Sequence, residues 1–277
     1  MLSGDMNMVA LQEKEALLRK SLGDLGSVLV AYSGGVDSTF LLKFAINTLG
    51  PDRVAAVTAV SDTYKPEDRE TAAALAKEIG ARHIVVHSDE MDDPRYVANT
   101  PDRCYYCKKI RFGGLSGLLK ELGIAHVVDG ANMSDQGDYR PGERATKELG
   151  IRSPLRDAGL HKQEIRELSK SLGLPNWDLP SQAFLASRFP YGIALTPERL
   201  KLVYEAEKLI YGYGFGQARV RYHGDIARIE VPSEDIIKLI DHRSKIVQKL
   251  KRFGFTYVTL DMQGFRSGSL NETLNRK

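Results

Sequence analysis

The sequence predicts an α/β fold, a parallel sheet flanked by helices, followed by a smaller α+β domain, and three observations predict it. Up to Gly130, short apolar runs alternate with stretches of helical spacing, the pattern of βα units that set strands in parallel. The run Val28-Leu29-Val30-Ala31-Tyr32 passes into Ser33-Gly34-Gly35-Val36-Asp37-Ser38-Thr39 and then Phe40-Leu41-Leu42, which reads as strand, glycine turn and helix. Past Pro175 two stretches, Ala218–His223 and Ala227–Val231, alternate with period two, as half-buried strands do.

In chain order, Leu11–Leu22 has helical apolar spacing and Val28–Ala31 is the first strand, with a helix over Thr39–Leu49. Val54–Val60 reads as a second buried strand and His83–His87 as a third strand, around a charged helix over Pro66–Ile79. A helix over Leu115–Leu122 leads into the strand Ala125–Gly130, and Lys162–Leu172 places Ile165, Leu168 and Leu172 on one helical face. The second module reads as a helix over Pro197–Tyr211, two strands, a helix over Asp235–Arg252 and the strand Tyr257–Leu260. The expected domains are residues 1–180 and 181–277, with the junction near 175–190.

The 277 residues can bury a substantial core. A net charge of +3 with interspersed signs does not demand nucleic acid as a partner. No apolar run reaches the about 18 residues of a membrane span, and no basic segment followed by an apolar one opens the chain. A cytoplasmic protein is expected.

The glycine turn is the most specific signal. Two glycines remove Cβ atoms where the chain turns sharply, so backbone N–H groups can converge on an anion at the start of the next helix. Ser33, Ser38 and Thr39 add hydroxyls, and Asp37 suits Mg²⁺ beside phosphates. The Gly-Lys-Ser/Thr ending of a Walker A loop is absent. The turn instead resembles the PP-loop of N-type ATP pyrophosphatases, which attack ATP at the α-phosphate and release pyrophosphate. Ligands of open α/β sheets bind at the carboxyl ends of strands. Ala31, Thr58, Asp129, Gly130 and Asn132 are therefore further candidate nucleotide contacts, Asp129 having a turn-capping role as its alternative.

Arg219 and Arg221 project to one face of an extended strand, where paired guanidiniums repel unless an anion lies between them. With Arg188 and Arg228 they suit a phosphorylated ligand; a solvated face with local carboxylates is the alternative. The only cysteines, Cys104 and Cys107, stand in Cys104-Tyr105-Tyr106-Cys107-Lys108-Lys109. Their spacing suits a metal, an iron–sulfur cluster or a redox pair, yet two ligands complete neither a zinc site nor a cluster; two structural thiols are the remaining alternative.

The glycine turn, the cysteine segment, Asp129–Gly142, the stretch Ser187-Arg188-Phe189-Pro190-Tyr191-Gly192, the strand pair around Arg219–Glu230 and the closing Thr259–Ser269 together resemble the LarE family over nearly the whole chain. The resemblance implies an ATP-dependent sulfur transferase acting in synthesis of the nickel-pincer nucleotide cofactor of lactate racemase. It implies a small-molecule nucleotide substrate, a pyridinium dicarboxylate mononucleotide whose carboxylate is adenylated before sulfur displaces AMP. By position, Ser33, Gly34, Gly35, Asp37 and Ser38 would hold ATP and Mg²⁺, Arg219 and Arg221 the substrate phosphate, and Ser187, Arg188 and Glu207 would lie near the transfer site. A homo-oligomer working beside other cofactor-biosynthesis proteins is also implied.

The sulfur source departs from the family pattern. Members sacrifice a cysteine just upstream of the Ser-Arg-Phe-Pro-Tyr-Gly stretch, or use three cysteines to hold a 4Fe-4S cluster. Here Ser181-Gln182-Ala183-Phe184-Leu185-Ala186 contains none. Three options stay open: a persulfide on Cys104 or Cys107, a cluster with these two as ligands and shared between chains, or adenylation without sulfur transfer. Rival functions are a tRNA thiolase, an amide synthetase, and a non-catalytic adenine-nucleotide sensor.

Overall fold

A computed structural model describes residues 2–135, 141–180, 183–266 and 268–274. Parts of three sequence motifs, Gln136–Arg140, Ser181-Gln182 and Ser267, lie outside the described residues. Contacts divide the chain into two units. One comprises Met1–Ser61, Pro66–Glu90 and Cys104–Gln182; the other comprises Asp62–Lys65, Met91–Arg103 and Ala183–Lys277.

The first unit is built on four parallel strands, β1 (Val28–Ala31), β2 (Val54–Val60), β3 (Arg82–His87) and β4 (His126–Val128), in the order β3-β2-β1-β4. Side chains alternate across the sheet, and the sequence is apolar at both parities because both faces are covered. Val28, Val30, Val54 and Ala56 pack with residues of α1 (Leu2–Leu25), α2 (Val36–Leu49) and α3 (Pro66–Ile79). Leu29, Ala55, Val57 and Val127 pack on the other face with Leu115, Ile124 and Ile151.

In the second unit lies the short helix α4 (Pro94–Val97). The cysteine segment forms α5 (Arg103–Gly113), followed by α6 (Leu115–Leu122), α7 (Gly142–Glu148), α8 (Pro154–Asp157) and α9 (Lys162–Ser171). The second unit also contains α10 (Pro197–Tyr211), the strands β5 (Arg219–His223), β6 (Ile226–Glu230) and β7 (Tyr257–Leu260), and the helices α11 (Ile236–Asp241) and α12 (Arg243–Phe253). Its sheet is mixed, with β5 antiparallel and β7 parallel to β6. Val220, Ala227 and Ile229 meet Ala206, Ile210, Ile246 and Leu250 in its core.

Strand ends differ from expectation by a residue or two, β4 being shortened to His126–Val128, and the helices differ more. α2 starts at Val36, so Asp37 and Ser38 sit in its first turn. The single helix expected over Asp235–Arg252 is two, parted at His242, whose ring stacks on Tyr213 at 5.0 Å; packing of that ring, invisible to periodicity, divides the helix. α1 extends the expected Leu11–Leu22 at both ends.

One buried ion pair ties α5 to the sheet. Glu90, just past β3, is fully buried and accepts from Arg111 Nε at 3.0 Å and from Ser61 Oγ at 2.5 Å, with Ser88 Oγ on its other oxygen. Burial works against its charge, but Arg111 and the two hydroxyls hold its pKa below the ordinary value of 4.5. Such a group stabilises the fold above that value and loses its contribution as pH falls through the depressed folded pKa. Arg111→Met should therefore lower the unfolding free energy by about 3–5 kcal/mol at neutral pH, measured by urea denaturation. The deficit should shrink as pH falls toward the ordinary glutamate range, because without Arg111 burial raises the pKa of the stranded carboxyl, which takes up a proton at a higher pH than in the parent.

Candidate functional site

The turn after β1 is held open by hydroxyls and closed packing. Ser38 Oγ accepts from Ser33 N at 3.2 Å, donates to Gly35 O at 3.2 Å and lies 3.1 Å from Ser33 Oγ. Tyr32 N donates to Val57 O, and Thr58 Oγ1 returns a bond to Tyr32 O at 2.8 Å. Asn176 Nδ2 donates to Gly34 O and to Thr39 Oγ1. Gly34 has φ of 77°, and a Cβ there would stand 2.9 Å from Ala72 Cβ on α3. At Gly130 a Cβ would come within 3.1 Å of Ser38 N. Both glycines are thus required by close approach, and the first-turn amides of α2 have no acceptor within their own helix. The cradle suits a polyphosphate.

Asp37 supplies the cation-binding chemistry. Its Oδ1 is buried with no hydrogen-bond partner among the described residues, while Oδ2 takes a 2.6 Å bond from Lys162 Nζ at the start of α9. Desolvation raises its pKa above the ordinary value, against the opposing pull of Lys162. One carboxylate oxygen left over, beside a phosphate cradle, fits Mg²⁺, which takes one or two carboxylates plus substrate phosphates.

Asp129 follows β4. Its Oδ1 accepts from Ser153 Oγ at 2.7 Å and Ala131 N at 3.3 Å, and its Oδ2 from Lys108 Nζ at 3.1 Å. Those bonds cap the turn and anchor α5. Asn132 Oδ1 likewise accepts from Ser134 N. Cys104 is exposed and Cys107 half-buried, and neither is in a disulfide. They lie three residues apart on one helix, and no group of three His, Cys, Asp or Glu suited to a metal occurs among the described residues. With two cysteines in the entire chain, the residues do not fit a 4Fe-4S cluster held by a single chain.

The second unit gathers the arginines. The 3-10 turn Leu185–Arg188 carries Arg188, whose guanidinium forks onto Glu207 of α10 at 2.7 and 3.1 Å. Glu207 also accepts from Lys65 Nζ at 2.7 Å and Val220 N at 3.1 Å. Burial opposes its charge, but Arg188 and Lys65 hold its pKa below the ordinary range. Arg221 forks onto Glu230 at 2.9 Å through two nitrogens, donates to Ser187 O at 2.7 Å, and reaches Ser269 Oγ. Arg228 shares Glu230.

The two arginines of β5 differ in their partners. Arg221 has its own carboxylate, because antiparallel pairing brings Glu230 opposite Arg219 and within reach of Arg221. Arg219 is 8% exposed, lies over the Phe265 ring at 4.4 Å and has no carboxylate within ion-pair distance among the described residues. Desolvation, then the fields of Arg188 and Arg221, push its pKa down to about 10. Nearby, Arg188, Arg221, His223, Arg228 and Arg266 line a cavity of about 160 Å³. Sequence reasoning missed Lys65, Lys162, Asn176 and Glu230. Only Glu230 had a signal, the antiparallel register of two period-two strands.

A family model described as NAD synthase matches residues 10–96. The chain is 46% identical to an uncharacterized protein of Synechocystis over 96% of this chain and 100% of that one. It is 42% identical to the pyridinium-3,5-bisthiocarboxylic acid mononucleotide synthase of Lactiplantibacillus plantarum, over 97% of this chain and 98% of that one. An uncharacterized protein of Methanocaldococcus jannaschii is 32% identical over 87% of this chain and 91% of its own.

An unpaired buried cation costs stability, so Arg219→Met should raise the unfolding free energy by about 1–2 kcal/mol. The gain should persist at high pH, because a guanidinium keeps its proton throughout the range in which the protein is folded. Thermal melts at neutral and high pH measure both.

Proposed function

The chain belongs to the LarE family of ATP-dependent sulfur transferases, and from that premise we propose that it adenylates a carboxylate of a pyridinium-3,5-dicarboxylate mononucleotide and replaces AMP with sulfur. The product would be a thiocarboxylate on the route to a nickel-pincer nucleotide. The observation that carries the reading is Arg219, a buried guanidinium with no carboxylate within ion-pair distance among the described residues, in an arginine-rich unit. Keeping a charge there at a cost to stability makes sense if a phosphate supplies the missing counter-charge.

In this reading Ser33, Gly34, Gly35, Ser38 and the first-turn amides of α2 hold the ATP phosphates, with Ala31, Thr58, Asp129 and Gly130 shaping the nucleotide pocket. Mg²⁺, held by Asp37 Oδ1, would offset charge on the departing pyrophosphate. Lys162 holds Asp37 in its ionised form. Arg219 and Arg221 orient the substrate through its phosphate, while Ser187, Arg188 and Glu207, with Lys65 keeping Glu207 charged, line the transfer site. A carboxylate is a poor electrophile, and adenylation gives it a leaving group whose charge the loop is built to receive. No helix among the described residues is long and apolar enough to cross a membrane. The same reading has the protein act in the cytoplasm as a homo-oligomer, beside the proteins that consume its product.

The test is exchange of labelled pyrophosphate into ATP. Exchange that needs the pyridinium dicarboxylate mononucleotide supports the reading; exchange without it, or with tRNA alone, replaces it with another adenylating activity. Arg219→Met should raise KM for the mononucleotide at least about tenfold, the loss of one charge-assisted contact, with ATP binding unchanged. Because the Asp37 pKa is raised, Mg²⁺-dependent exchange should fall on the acid side at a pH above the ordinary aspartate range. Lys162→Met removes the cation that opposes this shift and should move that edge higher, read from the pH profile.

A further inference from the structure

Four residues of α5 share one helical face: Cys104, Cys107, Lys108 and Arg111, at i, i+3, i+4 and i+7. Two of them are tethers. Lys108 reaches Asp129, just past β4, and Arg111 reaches Glu90, just past β3. In the order β3-β2-β1-β4 the glycine turn that follows β1 lies between these anchor points. Gly130, next to Asp129, packs against Ser38 N. The face carrying both thiols is therefore bound to the same carboxyl edge that presents the nucleotide cradle. The other side of α5 is held by α7, where Tyr105 OH and Lys109 bond Glu148 at 2.8 and 3.1 Å.

We propose that Cys104 and Cys107 form a dithiol sulfur relay, Cys104 carrying a persulfide and Cys107 resolving it. The proposal rests on the adenylation reading above. Cys104 is the exposed member, open to a sulfane-sulfur donor, whose outer sulfur it takes while the donor leaves as a thiolate. The terminal sulfur of the persulfide attacks the adenylated carbonyl carbon; a C–S bond forms, and the C–O bond to AMP breaks with its electron pair leaving on AMP. The Cys107 thiolate then attacks Cys104 Sγ. A Cys104–Cys107 disulfide forms, and the bond from Cys104 Sγ to the transferred sulfur breaks, releasing the thiocarboxylate with that electron pair. An external dithiol reduces the disulfide, is itself oxidised, and readies the pair for reloading.

Residues three apart on a helix have Cβ atoms about 5–6 Å apart, while a disulfide needs about 3.5–4.5 Å. Closure thus requires a shift of about 1–2 Å in the opening turns of α5, where the first amides lack intrahelical partners.

The full-length protein is loaded with inorganic polysulfide, freed of excess reagent, and given Mg-ATP and the pyridinium dicarboxylate mononucleotide anaerobically without reductant. Mass spectrometry of protein and product is expected to show thiocarboxylate up to one equivalent per chain and a Cys104–Cys107 disulfide. Cys107→Ser should leave the product covalently attached at Cys104 until dithiothreitol is added; Cys104→Ser should give no thiocarboxylate, with melting curves verifying that both variants fold. Pyrophosphate release with no thiocarboxylate from the loaded protein overturns the relay alone. So does thiocarboxylate formation that follows bound iron and persists in both variants. Absence of substrate-dependent pyrophosphate from the unloaded protein overturns the adenylation reading, and the relay with it.

Discussion

A parallel sheet covered on both faces leaves only its ends for chemistry, and that constraint organises the first unit. β1 lies between β2 and β4, its faces sealed by Leu29 on one side and by Val28 and Val30 on the other. The chain must leave β1 through a turn tight enough to start α2 at once, which Gly34 permits with its positive φ and its contact against Ala72. Asp37 and Ser38, in the first turn of α2, depend on that turn for their positions, while Thr58 reaches the cradle from β2. Asp129 and Glu90 extend the same edge and fasten α5 to it.

The second unit solves a different problem, the burial of several charges in a small mixed sheet. Glu207 and Glu230 are each met by two cations, so they are neutralised within the fold. Arg219 meets no carboxylate within ion-pair distance among the described residues. Natural cores seldom retain such a guanidinium, and its field is reinforced by Arg188 and Arg221. A small cavity lined by Arg188, Arg221, Arg228 and Arg266 lies in the same unit. In the proposed function that positive potential is what receives the substrate phosphate.

Sulfur delivery separates this chain from the pattern its relatives suggest. Ala183 and Phe184 stand in the segment where a sacrificial thiol was expected, and Phe184 stacks on Tyr64 at 5.7 Å. The chain's two thiols are gathered on α5, too few for a 4Fe-4S cluster held by a single chain and three residues apart on one helical face. A helix that is anchored at both neighbouring strand ends while offering one exposed and one half-buried cysteine unites two observations that otherwise have no common explanation.

Much of this was legible in the sequence. Apolar runs of four and seven residues marked β1 and β2 because burial dictates their composition, and the glycine turn stood out because Gly34 takes a backbone that favours glycine. Contacts between residues distant in sequence were not legible. Lys162 meets Asp37 across 125 positions and Lys65 meets Glu207 across 142; nothing in a local pattern encodes such pairs. The sequence by itself determined the order of the strands and of the longer helices, the nucleotide-type loop and the absence of an upstream thiol. Only the tertiary structure decided where α4, α5, α7 and α8 form, which arginine meets no carboxylate among the described residues and which thiols share a face with the tethers of α5, because charge compensation depends on which side chains folding brings within a few ångströms.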